Sequence, residues 1–243
     1  MMKTTGKRFY TIAAAAMALA IMIGGCGGGG GNSGPAAPAK PAANKGYVSA
    51  RVSFQGTSAH KAYLAAREGG RSAEQTISSM VVIAIAISGI SSETGVEFLP
   101  ITSTLEIDPS LGSGSASLSE VPIGVNHLLT AIATWPDGTT ETVMCLIPEV
   151  AEGQTTQAYA DEQSTAVATV AIAYAAQNEG TTLADVSTET ITDLEAIIMT
   201  LNEQGTPFAS IDATTVLAAM DVSEITITPP SATLEVGYTQ LFT

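Results

Sequence analysis

Between residues 47 and 159, apolar and polar side chains alternate in short runs, which is the pattern of half-buried β-strands. The strongest run is Met80–Ile87, which has isoleucine or valine at every second position and valine or alanine between them. Strands that are apolar on both faces are typical of the middle of a covered sheet. This segment therefore predicts a central strand covered on both faces by other elements.

Several further segments show a similar alternation and are predicted as strands. Two of them are joined by Pro136-Asp137-Gly138, a hairpin turn in which glycine can take a positive φ. Seven or so short strands separated by frequent turn signals predict an antiparallel sandwich. The segment His60–Gly70 is ambiguous, and its pattern is compatible with a loop that contains a short helical turn. The additional predicted strands are Tyr47–Phe54, Ser113–Ser119, His127–Trp135, Thr140–Ile147 and Gln154–Ala158.

From about Asp161 onward, apolar residues no longer recur at every second position but at every third or fourth, which is the spacing of a helix. A first helix ends at Gly180, a second begins near Ser187 or Thr188 and ends at Gly205, and a short helical turn lies between them. Asp212 is a suitable N-cap for a third helix that runs through Met220. Because the apolar stripes are narrow and rich in alanine, these helices must pack on one another or on the sandwich. The stripes are Val167, Val170, Ala171 and Tyr174 in the first helix and Ile191, Leu194, Ile198 and Leu201 in the second.

The N-terminus has the organisation of an export signal. Residues 1–8 contain three basic residues and no acid, and Phe9–Ile23 is a mostly apolar run of 15 residues. This run is shorter than the roughly 20 apolar residues that a membrane-spanning helix needs, and it follows a positive segment, as in secretory signal peptides.

The four residues Ile23-Gly24-Gly25-Cys26 resemble the lipobox of bacterial lipoproteins, although leucine is commoner than isoleucine at its first position. The resemblance implies cleavage between Gly25 and Cys26, attachment of lipid to Cys26, and a membrane partner. Because Gly27 is not the aspartate linked to inner-membrane retention, it also implies an outer-membrane or cell-surface location. The other interpretation is an ordinary secretory signal with a chance cysteine.

Two further segments resemble modules of bacterial surface proteins. Residues 113–126, followed by a strand and Pro136-Asp137-Gly138-Thr139, are similar to prealbumin-like or carboxypeptidase-regulatory-like modules. Val222–Thr243 resembles the first two strands of a bacterial Ig-like domain, group 2, which implies that further modules follow. The expected fold is thus mainly β plus α: an antiparallel Ig-like or prealbumin-like β-sandwich, a small helical segment, and a truncated Ig-like strand pair.

These features divide the chain into five expected parts. The segment after the signal is rich in glycine and then in proline and alanine, so it is expected to be a tether without secondary structure. The parts are a lipoprotein signal peptide at 1–25, the tether at 26–46, a β-sandwich at 47–159, a helical segment at 160–221 and the start of an incomplete Ig-like domain at 222–243.

The charge of the chain is strongly acidic and unevenly distributed. Without residues 1–25 the chain would keep 6 basic and 23 acidic residues, a net charge of −17. The last basic residue is Arg71, so residues 72–243 contain 22 acids and no lysine or arginine. This distribution argues against binding to a nucleic-acid backbone, which requires cations. The acids either keep an exported protein soluble or bind calcium.

The sequence contains no convincing catalytic constellation, and we expect no cofactor and no metal site. Cys145 lies in an apolar run and is expected to be a buried thiol. His60 and His127 have no neighbouring histidine or cysteine and are expected to be solvated or edge residues. The pairs Asp161-Glu162 and Asp193/Glu195 are expected at a helix start and on a solvent face. Trp135, the only tryptophan, flanks the predicted turn.

The favoured expectation for function is a non-catalytic, lipid-anchored cell-surface protein. It would act as a structural stalk, a spacer or an adhesion module, with a protein or glycan as a possible ligand. The alternative is the N-terminal accessory region of a surface enzyme, for example one that acts on polysaccharides, with its catalytic domain beyond residue 243.

Overall fold

The computed structural model describes residues 44–68, 80–178 and 180–223, and it contains two β-sheets and a group of helices. The first sheet has three strands in the order β4-β1-β7, and the second has four in the order β3-β2-β5-β6. The strands are β1 (Lys45–Ser53), β2 (Val81–Ser88), β3 (Ile101–Ile107), β4 (Ser113–Pro122), β5 (Gly124–Thr134), β6 (Thr140–Val150) and β7 (Thr155–Ala160).

The two sheets bury their alternating apolar side chains against each other, as expected for a sandwich. Every second residue of β2 is buried on the inner face, and so are the corresponding residues of β1 and β5. The hairpin between β5 and β6 turns at the predicted residues, with Gly138 at a φ of 85°. The sandwich-like architecture predicted from the alternation is therefore confirmed at the level of two mostly antiparallel sheets.

One strand pair departs from the predicted antiparallel arrangement. β7 lies beside β1 in parallel, from Tyr47 opposite Thr155 to Val52 opposite Ala160. The chain leaves β6 in the second sheet, turns through residues 151–154 and fills the open side of β1 in the first sheet. Backbone hydrogen bonds from Gly153 to Lys45 and from Tyr47 to Gln154, each 2.8 Å long, hold this crossing.

The central position predicted for Met80–Ile87 is confirmed, because β2 pairs with both β3 and β5. The predicted cover on its second face is incomplete, since Val82 remains 38% exposed and Ala84 and Ala86 are half-buried. The reason is the placement of the helices, which pack mainly against β6 at the edge of this sheet.

The helices are α1 (Ser58–Glu68), α2 (Glu162–Gln177), α3 (Thr188–Glu203) and α4 (Ala213–Ser223), with short 3₁₀ turns at Leu183–Asp185 and Phe208–Ser210. The predicted apolar stripes of α2 and α3 form a second core together with Val216 and Leu217 of α4. Leu146 on the outer face of β6 packs against this core and connects the helices to the sandwich.

Two elements were not identified from the sequence. The first is α1: where the pattern indicates a loop with a short helical turn, the chain forms three turns of helix, and the side chain of the distant Glu141 binds the N-terminus of this helix. β3 was missed because its alternation is weak: the inner-facing positions include Ser103, while Thr102 and Thr104 face solvent.

Candidate functional site

The residues of the expected lipid attachment, Gly25 and Cys26, lie outside the part of the chain that the structure describes, as do residues 224–243 of the expected Ig-like start. Within the described residues, no helix is both long enough and apolar enough to cross a membrane. The expectations about export and anchoring therefore stay predictions.

His127 is fully buried in β5, so the expectation of a solvated or edge histidine is wrong. Its Nε2 lies 2.8 Å from the carbonyl oxygen of Pro122, and its ring meets Phe98 edge-on with centroids 5.1 Å apart. Nδ1 is buried and has no hydrogen-bond partner among the described residues. Burial lowers the pKa of His127, and the Pro122 hydrogen bond offsets this only in part. A neutral ring that donates from Nε2 is the form that fits this site.

His60 is also buried, on the inner side of α1, and is not the solvated loop residue that we expected. Its ring centroid lies 5.8 Å from that of Trp135, which is 3% exposed. Next to this pair, Oε1 of Glu141 accepts a 2.7 Å hydrogen bond from the backbone N–H of Ala59 in the first turn of α1. His60, Trp135 and Glu141 therefore attach α1 to one end of the sandwich, which is a structural role.

Cys145 is buried on the inner face of β6, as predicted from its apolar run. Burial raises the pKa of the Cys145 thiol to about 12, with a smaller contribution from the nearby charge of Asp161. Because only the thiolate is strongly nucleophilic, this side chain is chemically inert in the folded protein.

The four acids named in the sequence analysis lie at the start of one helix and on the exposed face of another. Asp161 is the N-cap of α2, and Glu162 occupies the first turn of that helix. Asp193 and Glu195 are exposed on α3, as expected. No group of three or more histidine, cysteine or acidic side chains suited to a metal ion occurs among the described residues.

An open cleft of about 480 Å³ lies between the β6–β7 edge of the sandwich and the helices α2 and α3. Its walls include Leu146, Val167 and Ile191 together with the acids Asp161 and Glu195. Asp161 is occupied as a helix cap, and Glu195 forms only a 3.4 Å contact with Gln163. The cleft thus follows from how the helices pack on β6 and presents no arranged set of reactive groups.

Another candidate for a binding surface is the outer face of the first sheet. We call it the Arg51 face and define it by the side chains that alternate with the buried ones on β1, β4 and β7. Each of these residues is exposed or half-buried, and one of them is acidic: Glu120, which lies opposite Tyr47 where the pairing of β1 with β4 is irregular. The Arg51 face consists of Tyr47, Ser49, Arg51, Ser115, Ser117, Glu120, Thr155, Gln157 and Tyr159.

Arg51 lies near one end of this face, on the central strand β1, and is flanked by Ser115 on β4 and by Tyr159 on β7. Its guanidinium carbon lies 5.8 Å from the centroid of the Tyr159 ring, which is 49% exposed. This distance suits a cation–π contact. No hydrogen bond or ion pair joins Arg51 to another of the described side chains.

Sequence reasoning did not find the Arg51 face because its residues come from three separate segments, and the first and last of these are 108 positions apart at Arg51 and Tyr159. Arg51 and Tyr159 become neighbours only through the parallel pairing of β1 with β7. The available signal was the alternation within the predicted strands at 47–54, 113–119 and 154–158, which places most of these residues on one face of each strand.

Comparisons with protein-family models, with curated proteins and with solved structures found no match to this chain.

Proposed function

We propose that this chain is a lipid-anchored protein of the bacterial cell surface and that its sandwich and helices act as a non-catalytic stalk, spacer or adhesion module. The observation that carries the proposal is Ile23-Gly24-Gly25-Cys26, placed directly after a basic segment and a 15-residue apolar run. All three features are needed for this argument, because a cysteine without the preceding basic and apolar segments would not indicate lipid attachment.

The physical reason for an anchor of this kind is the strength of acyl-chain burial. Each buried methylene contributes about 0.8 kcal/mol, so one chain binds a membrane marginally and two or more chains bind it stably. Glycines follow Cys26 directly, and a proline- and alanine-rich stretch comes after them. Such a segment is long enough to hold a folded body away from the lipid surface.

The body suits a mechanical or adhesive role through its packing. The sandwich core and the helical core are joined at β6, where Leu146 and the hydrogen bonds between Met144, Ser164 and Thr165 connect a strand to a helix. A body packed in this way can present one exposed sheet face to a ligand outside the cell.

Metabolic labelling with radioactive palmitate tests the anchor. The full chain expressed in a bacterium should incorporate the label and remain with the membrane fraction. The variant Cys26→Ala should lose both the label and the membrane association. The matched control is Cys145→Ser, which changes the other cysteine and should keep the label; unchanged labelling of Cys26→Ala would refute the proposal.

A further inference from the structure

We propose that the open cleft between the β6–β7 edge and the helices α2 and α3 binds a segment of another protein in which lysine or arginine lies next to apolar residues. The inference deepens the proposed function and rests on it in one respect, since a surface location is what brings this cleft into contact with other proteins. The binding itself depends on the cleft and not on the lipid.

The walls of the cleft are largely apolar and can be reached from outside. Leu146 and Ile191 are half-buried, Pro148 is exposed, and the ring of Tyr159 on β7 is 49% exposed. The volume of about 480 Å³ lies within the range that is usual for ligand sites in proteins. A partner that covers these side chains removes apolar surface from water, which favours binding.

Two carboxylates border these apolar walls. Asp161 uses Oδ1 to cap α2, and its Oδ2 has no hydrogen-bond partner among the described residues. Glu195 of α3 is exposed, and the one hydrogen bond of its side chain is a 3.4 Å contact with Gln163. Burial and, to a smaller extent, the charge of Asp161 raise the pKa of the Cys145 thiol, which lines the same cleft. Both carboxylates therefore have oxygens that can accept from a bound cation.

The residues around the cleft supply no cation for these acids. Residues 72–243 contain every residue that lines the cleft, and they include no lysine or arginine. The guanidinium carbon of Arg51 lies 5.8 Å from the centroid of the Tyr159 ring, but Arg51 does not line the cleft. Complementary charges attract a partner and determine where on the surface it binds. A basic partner is therefore complementary to this cleft, and an acidic one is repelled.

The presence of apolar side chains beside the acids determines the kind of cation. Lysine and arginine have apolar stems that end in a charge, which suits walls where Leu146 and Ile191 occur together with the carboxylate of Asp161. Apolar neighbours in the same segment can cover the exposed Tyr159 and Pro148. A metal ion has no apolar surface and gains nothing from such walls. The cleft is therefore suited to a polypeptide segment that is both basic and apolar.

Fluorescence anisotropy with the purified full-length protein in non-ionic detergent tests this inference. The probe is the fluorescein-labelled peptide amide Leu-Lys-Leu-Lys-Leu, and the matched probe is the same peptide with both lysines acetylated. The wild-type protein should bind the first peptide about tenfold more tightly than the second, because acetylation removes the charges that pair with the cleft.

A pair of double variants tests the two carboxylates. Asp161→Asn with Glu195→Gln removes both charges, and asparagine keeps an acceptor for the cap of α2. This protein should bind the lysine peptide about tenfold more weakly, which corresponds to the loss of two partly exposed ion pairs. The control, Asp193→Asn with Glu203→Gln, removes the same charge from exposed positions of α3 outside the cleft. It should bind like the wild type at physiological salt, because salt screens exposed charges.

A second pair of variants blocks the cleft without changing its charge. Thr192 and Thr200 are both exposed on α3, and each donates from Oγ1 at 2.9 Å to the backbone carbonyl four residues earlier. Of the two, only Thr192 lines the cleft. Thr192→Trp should weaken binding of the lysine peptide about fivefold, because the indole takes space that the peptide side chains need. Thr200→Trp should bind like the wild type.

Several outcomes would overturn the inference: no binding by the wild-type protein, equal affinity for the acetylated peptide, or equal losses in the cleft variants and their controls. Spermine that displaces the peptide and binds as tightly would assign the cleft to a small organic cation and overturn the protein partner. Cys26→Ala should bind the peptide like the wild type. A failed palmitate experiment with intact peptide binding would therefore refute the anchor alone, and the reverse result would refute this site alone.

Discussion

Asp161 and Ser164 each bind the backbone of the other. Oδ1 of Asp161 accepts from the N–H of Ser164 at 2.8 Å, and Oγ of Ser164 accepts from the N–H of Asp161 at 2.8 Å. Oγ of Ser164 also donates to the carbonyl oxygen of Met144 at 2.8 Å. This reciprocal cap therefore starts α2 and attaches it to the edge strand β6 at the same point.

We predict that Asp161→Ala lowers the free energy of unfolding by about 0.5–2 kcal/mol, the usual effect of removing an N-cap. The loss arises because the N–H of Ser164 is left without its acceptor. Urea unfolding followed by circular dichroism measures this change. The matched control is Asp193→Ala on the exposed face of α3, which should change stability by less than about 0.5 kcal/mol. Equal losses in both variants would contradict the capping role.

Asn126 connects the sandwich to the segment between α2 and α3. Its side-chain amide donates to the carbonyl oxygens of Leu183 at 2.9 Å and of Val186 at 2.7 Å. The residue is buried and has a φ of 50°, a left-handed conformation that asparagine tolerates better than most residues. Both its side chain and its backbone are therefore suited to this position.

We predict that Asn126→Ala lowers the free energy of unfolding by about 2–4 kcal/mol, because one buried and one partly buried carbonyl lose their donor and alanine is strained at positive φ. The measurement is again the urea midpoint. Asn178→Ala is the control: Asn178 donates one exposed hydrogen bond, to Tyr174, and its loss should cost about 1 kcal/mol or less. A smaller effect at Asn126 than at Asn178 would show that the connection is unimportant.

The burial of His127 predicts a pH dependence of stability. Its pKa in the folded protein lies below the ordinary value of 6.5, so the unfolded chain binds more protons once the pH falls below about 6.5. The free energy of unfolding should therefore be highest above this pH and fall between pH 6.5 and 5. His127→Gln, which keeps a donor for the Pro122 carbonyl, should show a flatter profile over this range.

Urea unfolding at pH 7.5 and 5.0 measures the difference for the two proteins. If the free energy of unfolding changed equally with pH in the wild type and in His127→Gln, the prediction would be contradicted. The carboxyls whose pKa is lowered by hydrogen bonds, those of Asp108, Asp137 and Asp185, titrate at lower pH and do not contribute within this window.

Burial of Cys145 predicts a thiol that reacts only after unfolding. In the variant Cys26→Ala, Cys145 is the only cysteine, so a colorimetric thiol reagent reports on it alone. We expect negligible reaction at pH 8 in buffer and one thiol per chain in 6 M guanidinium, because burial raises the pKa of Cys145 to about 12 and blocks access. Rapid reaction of the native protein would place this thiol at the surface.

The elements with strong local signals could be predicted from the sequence. β2, the hairpin at Pro136-Asp137-Gly138 and the apolar stripes of α2 and α3 were identified because alternation, turn chemistry and helical spacing are properties of neighbouring residues. The cap of α3 was located within one residue, at Ser187, whose Oγ accepts from the N–H of Thr190 at 3.0 Å. The acidic charge and the resemblance to a lipobox can likewise be recognised from the sequence alone.

The features that depend on distant residues were decided only by the tertiary structure. The sequence places His60 in a polar segment and His127 directly after Asn126 at the start of a predicted strand, which suggests exposure, but α1 and the second sheet bury both rings. The parallel pairing that places Tyr159 beside Arg51, 108 positions away, has no local signal, because strand order and direction depend on how two sheets close around a shared core. Local patterns therefore determined which segments form strands and helices, and the packing of the sheets decided which side chains meet.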